Sequence, residues 1–284
     1  MTATPVVYWD GRRPALPGRL DRRFPLGPRS RNFGDLLGPL VVAGVHRGDV
    51  PAVRAGTRVG GGARGRRLLT VGSILHYARD DDVVWGTGVN GKVPRSEHRF
   101  HRLDVRAVRG PLTRRVLADL GVDAPEVYGD PGLLVPVVLP HLVEVARDKT
   151  RGVTVVPHLS EVGRGPLPDG YLSPRAPLHD VLAGIARSER VVTSSLHGVV
   201  VADALGVPVQ LVRPRRETLF KYEDYFAGTS RDLPPVYDDV GAALRAPVQA
   251  GDPVHAPPAL LAAFPYDLFD DDRDPATAGG PDGR

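Results

Sequence analysis

Two serines, a histidine and a glycine lie between two apolar runs in the segment VVTSSLHGVVVADALGVP, residues 191–208. The first run is typical of a buried strand and the second of a buried helix. Polar side chains at such a junction cost free energy unless something pairs with them. Ser194, Ser195 and His197 are therefore candidates for ligand binding, since serine donates hydrogen bonds and histidine transfers protons near neutral pH.

The helix that follows this junction is suited to binding an anion. Its first backbone N–H groups have no partner inside the helix and form the positive end of the helix dipole, where carboxylates and phosphates bind. The backbone at Leu196 and Gly198 is a candidate for this contact, because glycine lets a ligand approach closely. The alternative is a plain junction, in which a serine caps the helix and His197 belongs to the core.

Three other patterns suggest chemistry but lack the context that it needs. GTGVNG (86–91) has the spacing of a dinucleotide loop, yet no helix follows it, so we interpret it as a mobile glycine loop lining a cleft. Asp80–Asp82 falls between two elements and is typical of a solvated turn rather than a metal site. The serines lack the G-x-S-x-G context of a hydrolase nucleophile. We expect no metal site.

Composition limits the class of protein. The 284 residues suffice for two domains, and 42% apolar and 25% charged residues are ordinary for a globular protein. The sequence contains no cysteine, which excludes disulfides and thiolate metal sites. Its 37 Lys and Arg residues, set against 33 Asp and Glu, are nearly all arginine, which binds carboxylate and phosphate bidentately. The pattern suits a small anionic substrate and has no feature typical of nucleic-acid binding.

Nothing in the sequence is typical of export or membrane insertion. The N-terminus lacks the basic start and apolar core of a secretory signal. The most apolar window, GLLVPVVLP (132–140), is too short to span a bilayer. We therefore expect a cytoplasmic protein.

Short apolar strands alternate with helical patterns, which predicts an α/β fold with parallel sheets covered on both faces. We expect two Rossmann-like halves that meet near residues 130–150. The predicted strands are 66–71, 81–88, 104–110, 152–158, 190–195 and 207–212. The predicted helices are 32–45, a short one at 74–78 after Ser73, 111–122, 176–189 and 197–207. The predicted domains are an irregular Arg- and Pro-rich arm packed on the N-terminal domain at 1–31, an N-terminal domain at 32–140, a C-terminal domain at 141–269 and a disordered tail at 270–284.

Eight segments, taken in order, resemble the polysaccharide pyruvyl transferase family, and most closely its bacterial exopolysaccharide branch. The resemblance extends from about residue 32 to 226. The segments are NFGD (32–35), VGSILHYA (71–78), DVVWGTG (82–88), DVRAVRGPLTRRVL (104–117), VYGDPGLLVP (127–136), VVPH (155–158), SSLHGVVVADALGVP (194–208) and KYEDY (221–225).

The resemblance implies a fold similar to the GT-B glycosyltransferases, with the active site in the cleft between an acceptor-binding N-terminal domain and a donor-binding C-terminal domain. It implies phosphoenolpyruvate as donor and no cofactor. The implied acceptor is a sugar in a polysaccharide or its lipid-linked precursor, whose two hydroxyls form a cyclic pyruvate ketal with release of phosphate. A lipid-linked acceptor is compatible with a position at the periphery of the inner membrane. The oligomeric state is not indicated.

Within the family motifs, His197 matches the catalytic acid or base, and Arg109, in the Arg-x-x-x-Ser/Thr block, matches a donor-binding arginine. In the family the motif around His197 often has an arginine where this chain has Ser195. Arg213 is a candidate to replace that arginine, and an ordinary surface position is the alternative for it. Asp130, between a glycine and a proline, is expected to stabilise a turn rather than to act in catalysis.

The remaining candidates come from the first, sixth and last segments. Asn32 and Gly34 are expected to face the cleft. Asp35, the second catalytic candidate, either orients an acceptor hydroxyl or caps its helix. His158 follows a predicted strand, and Lys221 is expected to close over the donor.

Two other functions stay open from the sequence. One is a GT-B glycosyltransferase that uses a nucleotide sugar, since the fold would be similar. The other is a non-catalytic relative that binds glycan, because Ser195 replaces an arginine at the donor position.

Overall fold

The computed structural model describes residues 4–12, 28–55, 66–163, 165–248 and 252–269. The tail predicted to be disordered, residues 270–284, lies outside these ranges, so that expectation stays a prediction.

Five short strands form a first sheet in which every neighbouring pair is parallel. They are β1 (Val6–Tyr8), β2 (Ala52–Arg54), β3 (Leu68–Leu69), β4 (Val83–Trp85) and β5 (Asp104–Ala107). Their order is β2-β1-β3-β4-β5. The order changes direction between β1 and β3, and ligands bind to such sheets beyond the carboxyl ends of the strands at this change.

Four strands form a second sheet that is also parallel throughout. They are β6 (Arg151–Val156), β7 (Ser188–Thr193), β8 (Val209–Val212) and β9 (Val236–Tyr237), in that order. An isolated parallel bridge from Val155 to Tyr171 lies on the far side of β6. Two separate parallel sheets confirm the predicted α/β architecture with two Rossmann-like halves.

Helices connect the strands as the alternating pattern predicted. They are α1 (Phe33–His46), α2 (Pro111–Asp119), α3 (Val135–Val138), α4 (His141–Arg147), α5 (Leu178–Ala186), α6 (Leu196–Ala204), α7 (Phe220–Gly228), α8 (Val240–Arg245) and α9 (Pro258–Ala262). The helix predicted after Ser73 is a single 3-10 turn at Leu75–Tyr77. In the described ranges no helix has both the length and the apolar character needed to cross a bilayer.

The structure corrects part of the irregular arm predicted at residues 1–31. Val6–Tyr8 is a strand, bonded to β2 on one side and β3 on the other. Val6 and Val7 are fully buried because the strand lies inside the sheet. A three-residue strand is too short to show an alternating hydrophobic pattern. The segment was therefore assigned to the irregular arm with the arginines and prolines around it. Residues 13–27 of the arm lie outside the described ranges.

Helix α1 packs against both halves of the molecule. Phe33 and Leu37 belong to the apolar cluster around α5, α6 and β6. Val41 and Val42, one to two turns later, belong to the cluster around the first sheet. The Phe33 N–H also donates to the Pro174 carbonyl at 2.9 Å, so the start of α1 is held by the second half.

The last described helix, α9, packs on the first sheet, although residues up to 269 were assigned to the C-terminal domain from sequence. Trp85 Nε1 on β4 donates to the Leu260 carbonyl at 2.8 Å. The Phe264 ring meets Trp85 edge-on at 4.9 Å. The predicted domain boundaries are otherwise untested and stay a prediction.

A buried ion pair links the residues that directly precede β3 and β4 in the first sheet. Arg67 and Asp82, each 3% exposed, form a salt bridge at the start of β3 and β4. Asp82 also accepts the Arg79 N–H at 2.8 Å. The predicted solvated turn therefore holds for the exposed Asp80 and Asp81, whereas Asp82 is part of the core.

Asp82→Ala is expected to lower the free energy of unfolding by about 3–5 kcal/mol, because it leaves the Arg67 guanidinium buried without its counter-charge. The matched control is Glu144→Ala, which removes an exposed ion pair with Arg147. That change should cost less than about 1 kcal/mol. Urea unfolding of the three proteins measures both losses, and equal losses would contradict the structural role of Asp82.

Candidate functional site

A cavity of about 1080 Å³ is lined by residues that follow strands of both sheets. Trp9 follows β1 and Ser73 follows β3, whereas His158 follows β6 and Ser195 follows β7. Parallel sheets bind ligands beyond the carboxyl ends of their strands. This cavity is therefore the candidate functional site.

The wall of the cavity carries more basic than acidic side chains. The basic ones are Arg12, Lys92, Arg175, Arg216 and Lys221, and the acidic ones are Asp35 and Glu217. Such an excess of cations around a cavity favours a ligand with several negative charges.

His197 lies in the first turn of α6, a helix whose residues are all buried. Its Nε2 atom is enclosed and has no hydrogen-bond partner, and Asp130 Oδ2 lies 3.9 Å away. On the other side of the ring, an added Cβ atom at Gly34 would overlap Nδ1. Burial, Lys221 and Arg109 lower the pKa of His197 to about 3, so the imidazole is neutral at pH 7.

Asp35 lies in the first turn of α1 and reaches the cavity beside Asn32. Asn32 Nδ2 donates to Asp35 Oδ2 at 2.5 Å. Burial raises the pKa of Asp35 to about 7, against the opposing effects of Asn32 and Lys221. A carboxyl group with a pKa near the ambient pH can both accept and donate a proton.

The two serines occupy different environments. The Ser194 hydroxyl donates to Glu161 Oε2 at 2.6 Å and accepts the His158 N–H at 2.9 Å, so protein groups satisfy it. Ser195 precedes α6 and lines the cavity, and its side chain makes no capping hydrogen bond to the helix. Of the two predicted hydroxyls, only that of Ser195 is brought to the cavity.

The two backbone positions predicted to contact a ligand at the start of α6, Leu196 and Gly198, have different surroundings. Leu196 lines the cavity. An added Cβ atom at Gly198 would instead overlap Thr193 Oγ1 at the end of β7. Glycine is needed at 198 for the helix to pack on the strand, which differs from the predicted contact with a ligand.

His158 and Lys221 meet on the second-half wall of the cavity. Lys221 Nζ lies 3.4 Å from His158 Nε2 and 3.2 Å from Glu217 Oε2. Glu217 also pairs with Lys92 from the first half, so this cluster connects the two halves beside the cavity. Burial lowers the pKa of Lys221, and burial together with Lys221 lowers that of His158 to about 4.

Arg109, predicted to bind the donor, is 0% exposed and does not reach the cavity. Its Nε donates to Asp224 Oδ2 at 3.0 Å and its Nη2 to the Val89 carbonyl at 2.7 Å. Its Nη1 donates at 2.6 Å to the hydroxyl of Ser73, which does line the cavity. Asp224 also accepts from the Thr113 N–H at 2.9 Å and hydroxyl at 2.7 Å. The motif thus forms a buried network between α2 and α7.

Arg213, predicted to replace the missing arginine, also lies away from the cavity. Its N–H donates to the Tyr237 carbonyl at 2.7 Å, which continues the pairing of β8 with β9. The exposed side chain lies 3.6 Å from Asp238 Oδ1. Arg216, three residues later, lines the cavity instead.

The aromatic part of the wall was not predicted from the sequence. Trp9, His76 and Tyr77 line the cavity on the first-half side. Trp9 directly follows the unrecognised strand β1, and recognition of VVYW as a strand end would have identified it. Within the described residues no group of three or more His, Asp or Glu side chains is placed to hold a metal ion. The expected absence of a metal stays a prediction.

Comparison with known proteins gives two matches. The polysaccharide pyruvyl transferase family model matches residues 59–212. The chain is 34% identical over 175 residues to the succinoglycan biosynthesis protein ExoV of Rhizobium meliloti, covering 56% of this chain and 52% of that protein. The chain thus spans about half the length of this curated relative. No solved structure matches the chain, so the GT-B-like fold stays a prediction.

Gly34→Ala is expected to lower the free energy of unfolding by about 1–3 kcal/mol, because the new methyl group occupies the space of the His197 ring. His197→Ala removes the ring but keeps the Cβ atom, which would still lie 2.8 Å from the new methyl group, so in this background the same substitution should cost less than in the wild type. Denaturant unfolding of the four proteins in this cycle measures the coupling. Equal losses in both backgrounds would contradict the contact.

Asp35→Asn is expected to gain stability relative to the wild type as pH rises from about 4 to about 7. The pKa of Asp35 is raised from 3.8 to about 7, so the folded state holds this proton more tightly than the unfolded state. The stability that the proton contributes is complete below pH 3.8 and is lost as pH rises through about 7. Melting temperatures of both proteins at about pH 5 and pH 8 test this. A difference that is the same at both values would contradict it.

Proposed function

The chain belongs to the polysaccharide pyruvyl transferase family, and we propose that it transfers the pyruvate unit of phosphoenolpyruvate to two hydroxyls of a sugar. The acceptor is a sugar in a polysaccharide or its lipid-linked precursor, and the products are a cyclic ketal and phosphate. The proposal rests chiefly on the cavity, where a basic wall surrounds one buried imidazole and one carboxyl group that titrates near neutral pH.

The donor has a carboxylate and a phosphate, and the second-half wall offers groups for both. Lys221 and Arg216 supply positive charge. The Ser195 hydroxyl and the N–H groups at the start of α6, among them that of Leu196, are hydrogen-bond donors for an anion. In this proposal Arg216 supplies the arginine that the family motif has at the position of Ser195.

The reaction requires proton transfers that balance. A proton adds to the methylene carbon of phosphoenolpyruvate, and positive charge develops at the central carbon. The two sugar hydroxyls form two C–O bonds to that carbon, and the C–O bond to phosphate breaks. Of the two hydroxyl protons released, one replaces the proton that went to the methyl carbon and the other leaves with the phosphate.

His197 is the proposed acid or base for the donor, and Asp35 is the proposed base for an acceptor hydroxyl. The anionic donor changes the balance at His197, because negative charge beside the ring opposes the burial and the cations that lower its pKa. The imidazole can then hold a proton in the complex with the donor. The pKa of Asp35 is already about 7, so this carboxyl group can accept a proton without a change in its surroundings.

The first-half wall is the proposed acceptor side. Trp9 and Tyr77 offer aromatic rings, which present an apolar face and a polar edge as sugars do. Asn32 adds an amide beside Asp35. We propose that the reaction takes place in the cytoplasm without a cofactor, and that a lipid-linked acceptor brings the protein to the periphery of the inner membrane.

Incubation with phosphoenolpyruvate and a panel of pyranosides tests the proposed function. The expected result is phosphate release together with a mass gain on the acceptor that corresponds to a ketal. His197→Ala should lower the rate about 10²- to 10⁴-fold, the usual contribution of a proton-transfer residue. Binding of a nucleotide sugar without binding of phosphoenolpyruvate would favour the glycosyltransferase alternative. Donor binding without turnover on any acceptor would favour a glycan-binding relative.

Neighbouring arginines provide a matched pair for the donor site. Arg216→Ala should raise the KM for phosphoenolpyruvate about tenfold or more, because it removes a cation from the cavity wall. Arg215→Ala is the control, since Arg215 is exposed and is absent from the wall. Initial rates at varied donor concentration measure both. An equal effect of the two substitutions would contradict the assignment of Arg216.

A further inference from the structure

We propose that Asp130 is a positioning residue for His197: its carboxylate holds the proton of Nε2 and leaves the lone pair of Nδ1 for proton transfer in the cavity. This inference deepens the proposed function and rests on it for the identity of the reacting group. The placement of the Asp130 carboxylate beside His197 Nε2 comes from the structure and does not depend on the proposed function.

The two side chains each present an unpaired polar atom to the other. Asp130 Oδ2 and His197 Nε2 are both buried and have no hydrogen-bond partner, and they lie 3.9 Å apart. Leaving either atom unpaired in the interior costs free energy. The separation exceeds a hydrogen bond by about 1 Å, and catalytic hydrogen bonds are often long until the ligand binds. A small tilt of the ring therefore satisfies both atoms at once.

The Asp130 carboxylate is held in place by its other oxygen. Oδ1 accepts the Gly132 N–H at 2.9 Å and caps the 3-10 turn Pro131–Leu134. This turn packs on α6, since an added Cβ atom at Gly132 would lie 2.9 Å from Val200 Cγ1. One oxygen thus fixes the turn, and the second is left to face the ring of His197. The turn role predicted from sequence accounts for Oδ1 of the carboxylate but not for Oδ2.

The orientation of the imidazole fits such a pair. Nε2 is enclosed on the side of Asp130, whereas His197 as a whole lines the cavity. Nδ1 lies on the side of Gly34 at the start of α1, where Asp35 and Asn32 reach the same cavity. A carboxylate behind one ring nitrogen fixes which tautomer is present and presents the other nitrogen to the reaction.

The charges around the pair favour the same arrangement. Burial, with the charges of Lys221, Arg109 and His158, lowers the pKa of His197 to about 3. Burial raises the pKa of Asp130 to about 6, with Arg109 opposing and Asp224 adding to the rise. Near pH 7 an ionised carboxylate therefore faces a neutral ring. When Nδ1 accepts a proton, the carboxylate stabilises the imidazolium that the surrounding cations disfavour.

Asp130→Asn separates this role from that of a turn cap. The amide oxygen still accepts the Gly132 N–H, but the NH₂ group now faces Nε2 and favours the tautomer with the proton on Nδ1. Asp130→Ser is a second variant, whose hydroxyl keeps a short acceptor for the turn but does not reach the ring. Equal melting temperatures of these variants and the wild type would show that the turn is intact.

The tautomer of His197 can be measured without any substrate. In ¹⁵N-histidine-labelled protein, two-bond proton–nitrogen spectra distinguish the two neutral tautomers, and His197→Ala identifies the signal. The expected result is a proton on Nε2 in the wild type, on Nδ1 in Asp130→Asn and a mixture in Asp130→Ser. The same tautomer in all three proteins would overturn the inference, whatever reaction the protein catalyses.

Kinetics then test the consequence for the reaction. Asp130→Asn is expected to lower the kcat for phosphate release about 10²- to 10⁴-fold, with the KM for phosphoenolpyruvate changed less than about threefold. A loss confined to KM would overturn the positioning role. If the tautomer changes as expected but the wild type releases no phosphate with any acceptor, the proposed function fails and the assignment of Asp130 stands.

Discussion

The candidate site depends on how closely two helices approach at Gly34 and His197. Any side chain at position 34 would overlap the imidazole, so glycine lets the first turn of α1 lie against the first turn of α6. Helix α1 belongs to the apolar clusters of both halves, whereas α6 is buried in the second. The contact therefore brings Asp35 and His197 to one cavity, although 161 residues separate them in the chain.

A second constraint is the buried network that reaches the cavity wall through Ser73. Asp224 on α7 accepts hydrogen bonds from Arg109 and from Thr113 of the first half, and all three side chains are fully buried. A fully paired buried ion pair contributes little net stability compared with an apolar substitute, but it specifies one relative position of its elements. Here it fixes α7, and Lys221 of this helix lines the cavity. Arg109 contacts the cavity wall through its hydrogen bond to Ser73.

Burial and charge together make the cavity suited to an anion. His197 and His158 have lowered pKa values and stay neutral, while Asp35 has a raised pKa near the ambient pH. Cations on the wall disfavour further positive charge in the cavity. A negatively charged ligand reverses that effect, so binding and protonation of the ring are coupled.

The sequence by itself determined the α/β class, six of the nine described strands, four of the nine described helices, and the strand ends that precede His158 and His197. These follow from local hydrophobic period and from the rule that ligands bind beyond the carboxyl ends of parallel strands. The sequence did not determine which arginines face the cavity, nor that Asp130 faces His197. The direction of a side chain depends on contacts with residues more than a hundred positions away, as for Arg109 and Asp224. Only the tertiary structure decides those contacts, because packing between the two halves has no local period.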